Sequence, residues 1–213
     1  MSFGFEVTAR LEDATDGAPL GRAGVITTPH GQIRTPAFTP VGTQATVKAV
    51  LPEAMRDLGS QVILANAYHL YLQPGADVID SAGGLAAFMG WDGPTITDSG
   101  GFQVLSLGVG FKKVLAMEAQ TVTADDVIAA GKDRLAHVDD DGVTFKSHLN
   151  GSMHRFTPEV SMQVQHQLGA DIMMAFDELT TLMNSRQYQE RSLERTRLWA
   201  LRCIAEHERL TEE

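Results

Sequence analysis

The sequence predicts an α/β fold in which parallel strands alternate with helices, after a small antiparallel β meander at the N-terminus. Short apolar runs such as VILAN at 62–66 and IMMAF at 172–176 are typical of strands that are covered on both faces. Amphipathic helical segments separate these runs, which favours parallel strands joined by right-handed crossovers. The chain has 213 residues, 43% hydrophobic and 21% charged, which is the composition of a folded globular protein.

Residues 1–36 are predicted to form the antiparallel meander. Apolar and polar side chains alternate over residues 5–11, the pattern of a half-exposed strand. A turn at 16–17 precedes a second β-type run at 23–28, and a further turn at 29–31 precedes a third apolar segment. This part of the chain is therefore expected to be a domain of its own.

Residues 37–213 are predicted to form four strand–helix units, with an insertion at about 108–142. The four strands are expected at 37–43, 62–66, 94–97 and 172–176, and the helices at 52–59, 77–89, 157–169 and 186–210. At the end of the insertion, Asp141-Gly142 predicts a hairpin into VTFKSHL. Four units are half of a (β/α)₈ barrel, which needs eight.

The last two helices have apolar positions that predict which face is buried. In the helix capped by Thr157, the residues Val160, Val164 and Leu168 repeat at intervals of four, and Gly169 ends the helix. In the long final helix, the expected buried face consists of Leu193, Thr196, Ala200, Cys203 and Ile204.

Charge and cysteine content restrict the function classes. A net charge of −10 disfavours non-specific coating of nucleic acid but leaves a local basic patch open. Cys203 is the only cysteine, so the chain holds neither an internal disulfide nor a cysteine-rich zinc site. No segment has the length and apolarity of a membrane span, and MSFGFEVTAR is no signal peptide, which predicts a cytoplasmic protein without membrane contact.

Polar residues follow three of the predicted strands. Asn66 follows VILA, Asp98-Ser99 follows TIT, and Asp177-Glu178 follows IMMAF. In a parallel barrel these strand ends lie on one rim, where active sites are found. The alternative is that each residue only caps the helix or turn that comes next. Three such ends together favour a site.

The chain contains the motifs TDSGGFQVLSL, PVGTQATVKAV, ANAYHLYLQPG, GVTFKSHLNG and DIMMAFDE. With these motifs it resembles the bacterial tRNA-guanine transglycosylases, also called queuine tRNA-ribosyltransferases, and the resemblance covers residues 21–208. It implies a (β/α)₈ TIM-type barrel with insertions and a glycosyltransferase (pentosyltransferase) activity in tRNA queuosine modification. Guanine at the wobble position of tRNAs with GUN anticodons is exchanged for a 7-deazaguanine base, preQ1 or queuine. For the full-length family the resemblance also implies a homodimer.

By this resemblance the DSGGFQ motif holds the catalytic base and a stacking ring. Asp98 corresponds to the general acid/base, and Phe102 to the ring that stacks on the purine face. Ser99, Gly100 and Gly101 are implied to let the backbone come close to the base. The alternative is that Asp98 caps a short helix and that Phe102 belongs to the core.

The other implied binding residues lie on two neighbouring strand ends and in the same motif. Asp177 corresponds to the carboxylate that accepts the N–H groups of a guanine-like edge. Asn66 and Gln103 match polar family positions near the ribose. Leu179 departs from the family, which commonly has a cysteine after FDE, and so leaves the accepted deazaguanine open.

Two parts of the family machinery have no counterpart in this sequence. The aspartate nucleophile that attacks ribose C1′ and the zinc site of three cysteines and one histidine are expected in a C-terminal half outside these residues. No nucleophile and no metal ligand is assigned to this chain, which is expected to be inactive alone. His69 and His148 are predicted to be hydrogen-bonded structural histidines, and the arginines of the last helix, at 195, 202 and 209, a solvated face.

Two hypotheses of different classes therefore stand. The first is the N-terminal portion of a transglycosylase that bears the base pocket. The second is a non-catalytic partner subunit or a scaffold that binds tRNA or the base. The intact DSGGFQ and FDE motifs favour the first. A generic phosphate-binding barrel enzyme is less favoured, because no glycine-rich phosphate loop precedes a helix.

Overall fold

A computed structural model of the protein describes residues 3–11, 21–104, 136–181 and 184–212. Most of the predicted insertion at 108–142 lies outside these ranges. The helices are α1 (Pro52–Asp57), α2 (Ala67–Leu72), α3 (Ala76–Ser81), α4 (Gly84–Met89), α5 (Pro158–Leu168) and α6 (Arg186–Glu212).

The N-terminal strands form the antiparallel sheet that their alternation predicts. It consists of β1 (Gly4–Arg10), β2 (Arg22–Thr28) and β3 (Gly31–Thr35), in that order. Ile26 of the central strand lies opposite Phe5 on one side and Ile33 on the other. Whether residues 1–36 are a separate domain stays a prediction.

The second sheet is parallel and carries the strand ends of interest. It consists of β4 (Ile63–Ala65), β5 (Thr95–Thr97) and β9 (Ile172–Met173), in chain order. The strand expected at 37–43 is reduced to a single parallel bridge from Val41 to Leu64. The prediction of a mixed α/β chain with parallel strands is confirmed, and the strands in the described ranges do not close into a barrel.

The third sheet is an antiparallel hairpin with one further strand. Its strands are β6 (Ala136–Asp139), β7 (Gly142–Lys146) and β8 (Met153–Phe156). The turn predicted at Asp141-Gly142 is confirmed, because Oδ1 of Asp139 accepts both backbone N–H groups, at 2.9 and 3.1 Å. β8 was not predicted, since MHRF is too short and polar to indicate a strand.

Two predicted elements are wrong in extent. The helix expected over 77–89, with a weak middle at Gly83-Gly84, is two helices that meet at this weak point, because Gly83 has a left-handed backbone with φ of 93°. The strand expected over 172–176 ends at Met173, because the side-chain amide of Gln165 bonds the backbone of Met174.

The two last helices differ in how well the sequence predicted their buried faces. In α5 the Thr157 hydroxyl accepts the Val160 N–H at 3.3 Å, and Val164 and Leu168 are buried as expected. In α6 the buried side chains are Ser192, Trp199, Cys203 and Glu206. The predicted face is correct at Cys203 but wrong at Leu193 and Ile204, which are 72% and 53% exposed, and it omitted the completely buried Trp199.

A row of aromatic rings links the hairpin, the parallel sheet and α6. Phe156 lies 5.7 Å from Phe176, and Phe176 stacks on Trp199 with ring centroids 5.0 Å apart. All three side chains are completely buried. Because Phe176 directly precedes Asp177, this packing anchors the chain beside the candidate site.

Candidate functional site

Asp98 lies directly after β5, and the neighbouring strand end holds its carboxylate. Nδ2 of Asn66 donates to Oδ2 of Asp98 at 2.5 Å, and the backbone N–H of Ala67 donates to Oδ1 at 2.8 Å. Two donors from the β4–α2 junction thus orient one carboxylate at the end of β5. Asn66 contacts Asp98 here, and its expected role near a ribose stays a prediction.

Ser99 connects the end of β5 to the segment after β9. Its hydroxyl donates to Oδ1 of Asp177 at 3.0 Å and accepts the N–H of Gly101 at 3.2 Å. The serine is buried, with 6% of its surface exposed, whereas Asp177 is exposed. The sequence-predicted residues Asp98, Ser99 and Asp177 are therefore brought together at neighbouring strand ends.

The position of Gly101 has no room for a side chain, because the backbone of Asp177 packs directly against it. A Cβ atom at this position would lie 2.6 Å from the backbone oxygen of Asp177 and 3.0 Å from its Oδ1. Gly100 has φ of 80°, a backbone conformation that side chains disfavour. The contact between the two site segments therefore explains Gly101, and the left-handed backbone explains Gly100.

Residues 101–104 are helical and present two predicted site residues. Phe102 is 51% exposed, so its ring is accessible for stacking rather than part of the core. Within the described part of the chain, Oε1 of Gln103 is buried and has no hydrogen-bond partner. The stacking and binding roles of both residues stay predictions.

Glu178 has a different environment from Asp177, which the sequence did not reveal. Its side chain is fully buried and accepts from Nη1 of Arg195 at 2.6 Å and from the Tyr188 hydroxyl at 2.5 Å. Burial, followed by the bond to Glu178, raises the pKa of Tyr188 to about 12. Glu178 therefore fastens this segment to α6.

The prediction of a solvated arginine face holds at Arg209, which is 49% exposed, but is wrong in part at Arg195 and Arg202, which form ion pairs with other elements. Arg195 is only 19% exposed and bonds Asp140 as well as the buried glutamate. Nε of Arg202 lies 2.7 Å from Oε1 of Glu159 on α5. Charge pairing between elements, which spacing along one helix does not reveal, accounts for the difference.

A cluster of rings lies beside the Asp98 carboxylate. The Tyr68 hydroxyl lies 3.0 Å from Nδ1 of His148, as expected for a structural histidine, and His69 packs edge-on against the Tyr68 ring. Burial and then the charge of His148 lower the pKa of His69, although the Asp98 charge opposes this shift. Burial raises the pKa of Tyr68 to about 12.

The described residues do not fit a metal site. No group of three or more histidine, cysteine, aspartate or glutamate side chains in these ranges is arranged to hold an ion. The Cys203 thiol is buried, accepts the Phe176 N–H at 3.3 Å and has a raised pKa because of burial.

None of the helices in the described ranges combines the length and the apolar character needed to cross a bilayer.

The candidate site consists of two carboxylates in the segments that follow adjacent parallel strands, near an accessible aromatic ring, in an α/β chain. The family model for queuine tRNA-ribosyltransferase matches residues 16–213. This chain belongs to the queuine tRNA-ribosyltransferase family.

Three relatives, each a queuine tRNA-ribosyltransferase, illustrate the similarity. The protein from Pelotomaculum thermopropionicum is 47% identical over 209 residues, covering 98% of this chain and 48% of the relative. That from Roseiflexus sp. (strain RS-1) is 47% identical over 213 residues, or 100% and 50% of the two chains. That from Herpetosiphon aurantiacus is 50% identical over 184 residues, or 86% and 41%. The chain thus spans about half the length of these relatives.

Proposed function

We propose that this chain supplies the base pocket of a tRNA-guanine transglycosylase. The enzyme exchanges guanine at the wobble position of tRNAs with GUN anticodons for preQ1 or queuine. One observation carries the proposal: Ser99 links the Asp98 segment to Asp177 at 3.0 Å, beside the accessible ring of Phe102. A purely scaffolding subunit has no need for this arrangement, so the family membership and the pocket together favour the enzyme.

The residues of this chain bind the purine and transfer its proton. Asp177 accepts the N–H groups of the guanine-like edge, a charge-assisted contact that a neutral amide does not reproduce. Phe102 stacks on the base plane. Asp98 removes the ring N–H proton of the incoming base as its nitrogen forms the bond to ribose C1′. Asn66 keeps the Asp98 carboxylate oriented for this transfer.

The remaining half of the enzyme completes the reaction and the fold. Its aspartate attacks C1′ and displaces guanine, which leaves with a proton from Asp98. The resulting ester is cleaved when the new base attacks the same carbon and gives its ring proton back to Asp98. The same half supplies the zinc ligands and four further strand–helix units of the (β/α)₈ barrel. Homodimerisation belongs to the complete enzyme.

The test uses a joined protein, in which this chain continues into the part of the Pelotomaculum relative beyond the matched region. Incorporation of labelled guanine into tRNA is measured for this joined protein and for its Asp98→Asn variant. Because general acid–base catalysis contributes about 10²- to 10⁴-fold, we expect a rate loss in that range. The matched control is Asp57→Asn, an exposed aspartate on α1. Equal rates for both variants would reject the role of Asp98, and a joined protein that folds without any exchange would reject the function.

A further inference from the structure

We propose that Gln165 and Ser161, one turn apart on α5, are positioning residues that set the separation of the two site segments. The inference rests on the proposed function and deepens it. Neither residue reaches the strand-end surface, because both are completely buried. Each acts through the backbone of a segment that carries a site carboxylate.

Gln165 bonds both strands that lead into the site. Its Oε1 accepts the Thr97 hydroxyl of β5 at 2.9 Å and the Met174 N–H at 3.0 Å. Its Nε2 donates to the Met174 carbonyl oxygen at 2.9 Å. A single amide therefore satisfies both backbone groups of Met174, three positions before Asp177.

The hydrogen bonds between Gln165 and Met174 replace strand pairing at the point where the parallel sheet ends. The last paired residues of β5 and β9 are Thr97 and Met173. At the next position the side chain of Gln165, rather than a strand, supplies the hydrogen bonds, so the backbone leaves the sheet without unpaired groups. The direction in which the chain continues towards Asp177 is consequently set by this amide.

Ser161 holds the other site segment. Its hydroxyl donates to the carbonyl oxygen of Ser99 at 2.8 Å and accepts Nε2 of Gln165 at 3.2 Å. The bond from Ser99 to Asp177 closes a ring of contacts that passes through α5. Both site segments are thus held by hydrogen bonds to the same helix, α5.

The sequence contains a feature that indicates this role, namely two polar residues at helix positions that are buried, but the apolar residues of the helix drew attention away from it. Ser161 and Gln165 are four positions apart, as are the core residues Val164 and Leu168 of the same helix. Polar side chains at core positions cost free energy unless they are fully bonded, and here they are. A pocket that reads a planar base needs its carboxylates held within about 0.5 Å, which supporting bonds of this kind achieve.

The experiment is a double-mutant cycle on guanine affinity in the joined protein. Gln165→Met keeps the side-chain length and removes every hydrogen bond that the Gln165 side-chain amide makes. If the amide acts by placing Asp177, the variant lowers guanine affinity at least about tenfold, and it lowers affinity less than about twofold when Asp177→Asn is already present. Affinity for tRNA, which phosphate contacts dominate, changes little in either background. Gln167→Met, the same change at an exposed position of α5, leaves guanine affinity unaltered.

A merely structural role predicts a different result. Gln165→Met would then lower guanine affinity by the same factor in both backgrounds, which overturns the inference while the proposed function stands. If Asp177→Asn by itself leaves affinity unchanged, the proposed function fails and the inference with it. Should Gln165→Met not fold, Ser161→Ala enters the same cycle, because it removes the donor to Ser99 and one acceptor of Gln165 but leaves the bonds from Gln165 to Thr97 and Met174 in place. Additive effects of Ser161→Ala and Asp177→Asn would likewise overturn the inference.

Discussion

The Ser99 hydroxyl donates a 3.0 Å hydrogen bond to Oδ1 of Asp177, across 78 positions of sequence. This bond joins the segments that follow β5 and β9, and Gly101 allows it because a side chain there would collide with Asp177. The two motifs DSGGFQ and FDE are therefore one structural unit. Ser99 and Gly101 have a structural role in the contact between the two motifs, in addition to any role in ligand binding.

Replacement of Asp177 by asparagine tests the base contact. Asp177→Asn keeps the shape but replaces one acceptor with a donor that opposes the purine N–H, and such a contact contributes roughly 1–3 kcal/mol of discrimination. Titration of guanine into the joined protein should show at least about a tenfold loss of affinity, with little change in tRNA binding. If Asp177 only caps the segment after β9, asparagine caps nearly as well and the dissociation constants stay equal.

The 213-residue chain by itself should not exchange guanine into tRNA. No residue in it is assigned as the nucleophile, and a proton-transferring aspartate does not replace the covalent step. The measurement is incorporation of labelled guanine by the purified chain, with the joined protein as positive control. Saturable incorporation by the chain alone contradicts the proposed division of roles.

The isolated chain should also self-associate. The outer face of α6 exposes Leu193, Leu201 and Ile204 at 72%, 54% and 53%, and unpaired edges of a parallel sheet add to this liability. Light scattering should detect oligomers, and a hydrophobic dye should bind. Leu201→Lys combined with Ile204→Lys should reduce both signals more than Leu149→Lys, an exposed leucine elsewhere. A monodisperse monomer that melts cooperatively would falsify this expectation.

Removal of Arg195 should destabilise the protein strongly. Arg195→Met leaves the fully buried carboxylate of Glu178 without its cation, which typically costs about 3–5 kcal/mol of unfolding free energy. Arg186→Met is the control, since its pair with Glu190 is exposed and such pairs contribute about 0.2–1 kcal/mol. Urea unfolding of the joined protein distinguishes the two. Similar midpoints for the two variants would mean that the hydrogen bond from Tyr188 is enough to stabilise the buried carboxylate of Glu178.

Glu206 should make stability depend on pH in the acid range. The bonds from Arg209 and then Gln163 lower the pKa of Glu206 from 4.5 to about 2. Because the folded-state pKa is depressed, the stabilisation is complete above about pH 4.5 and is lost as the pH falls towards about 2. Between about pH 5 and about pH 3 the urea midpoint should therefore fall less in Glu206→Gln than in the unchanged protein. Glu208→Gln, an exposed neighbour, should keep the full decrease.

The sequence by itself determined the mixed α/β class of the fold and the family to which its motifs belong. The apolar runs at 62–66 and 94–97, the cap at Thr157 and the turn at Asp141-Gly142 are local signals, and each led to an element that the structure contains. Local signals are reliable here because backbone hydrogen bonding and capping involve residues close in sequence. Asp98 and Asp177 were recognisable for the same reason, as polar residues that directly follow apolar strands.

The tertiary structure alone decided which polar groups pair and which faces are buried. The exposed position of Leu193, the burial of Glu178 and the bonds from Gln165 to Met174 depend on contacts between separate elements, which the residue pattern of one element does not reveal. Buried polar groups must be bonded, but many partners satisfy that requirement equally, so the choice follows from packing rather than from residue type. The separation between the two site segments is set in this way, by hydrogen bonds to buried polar side chains of α5.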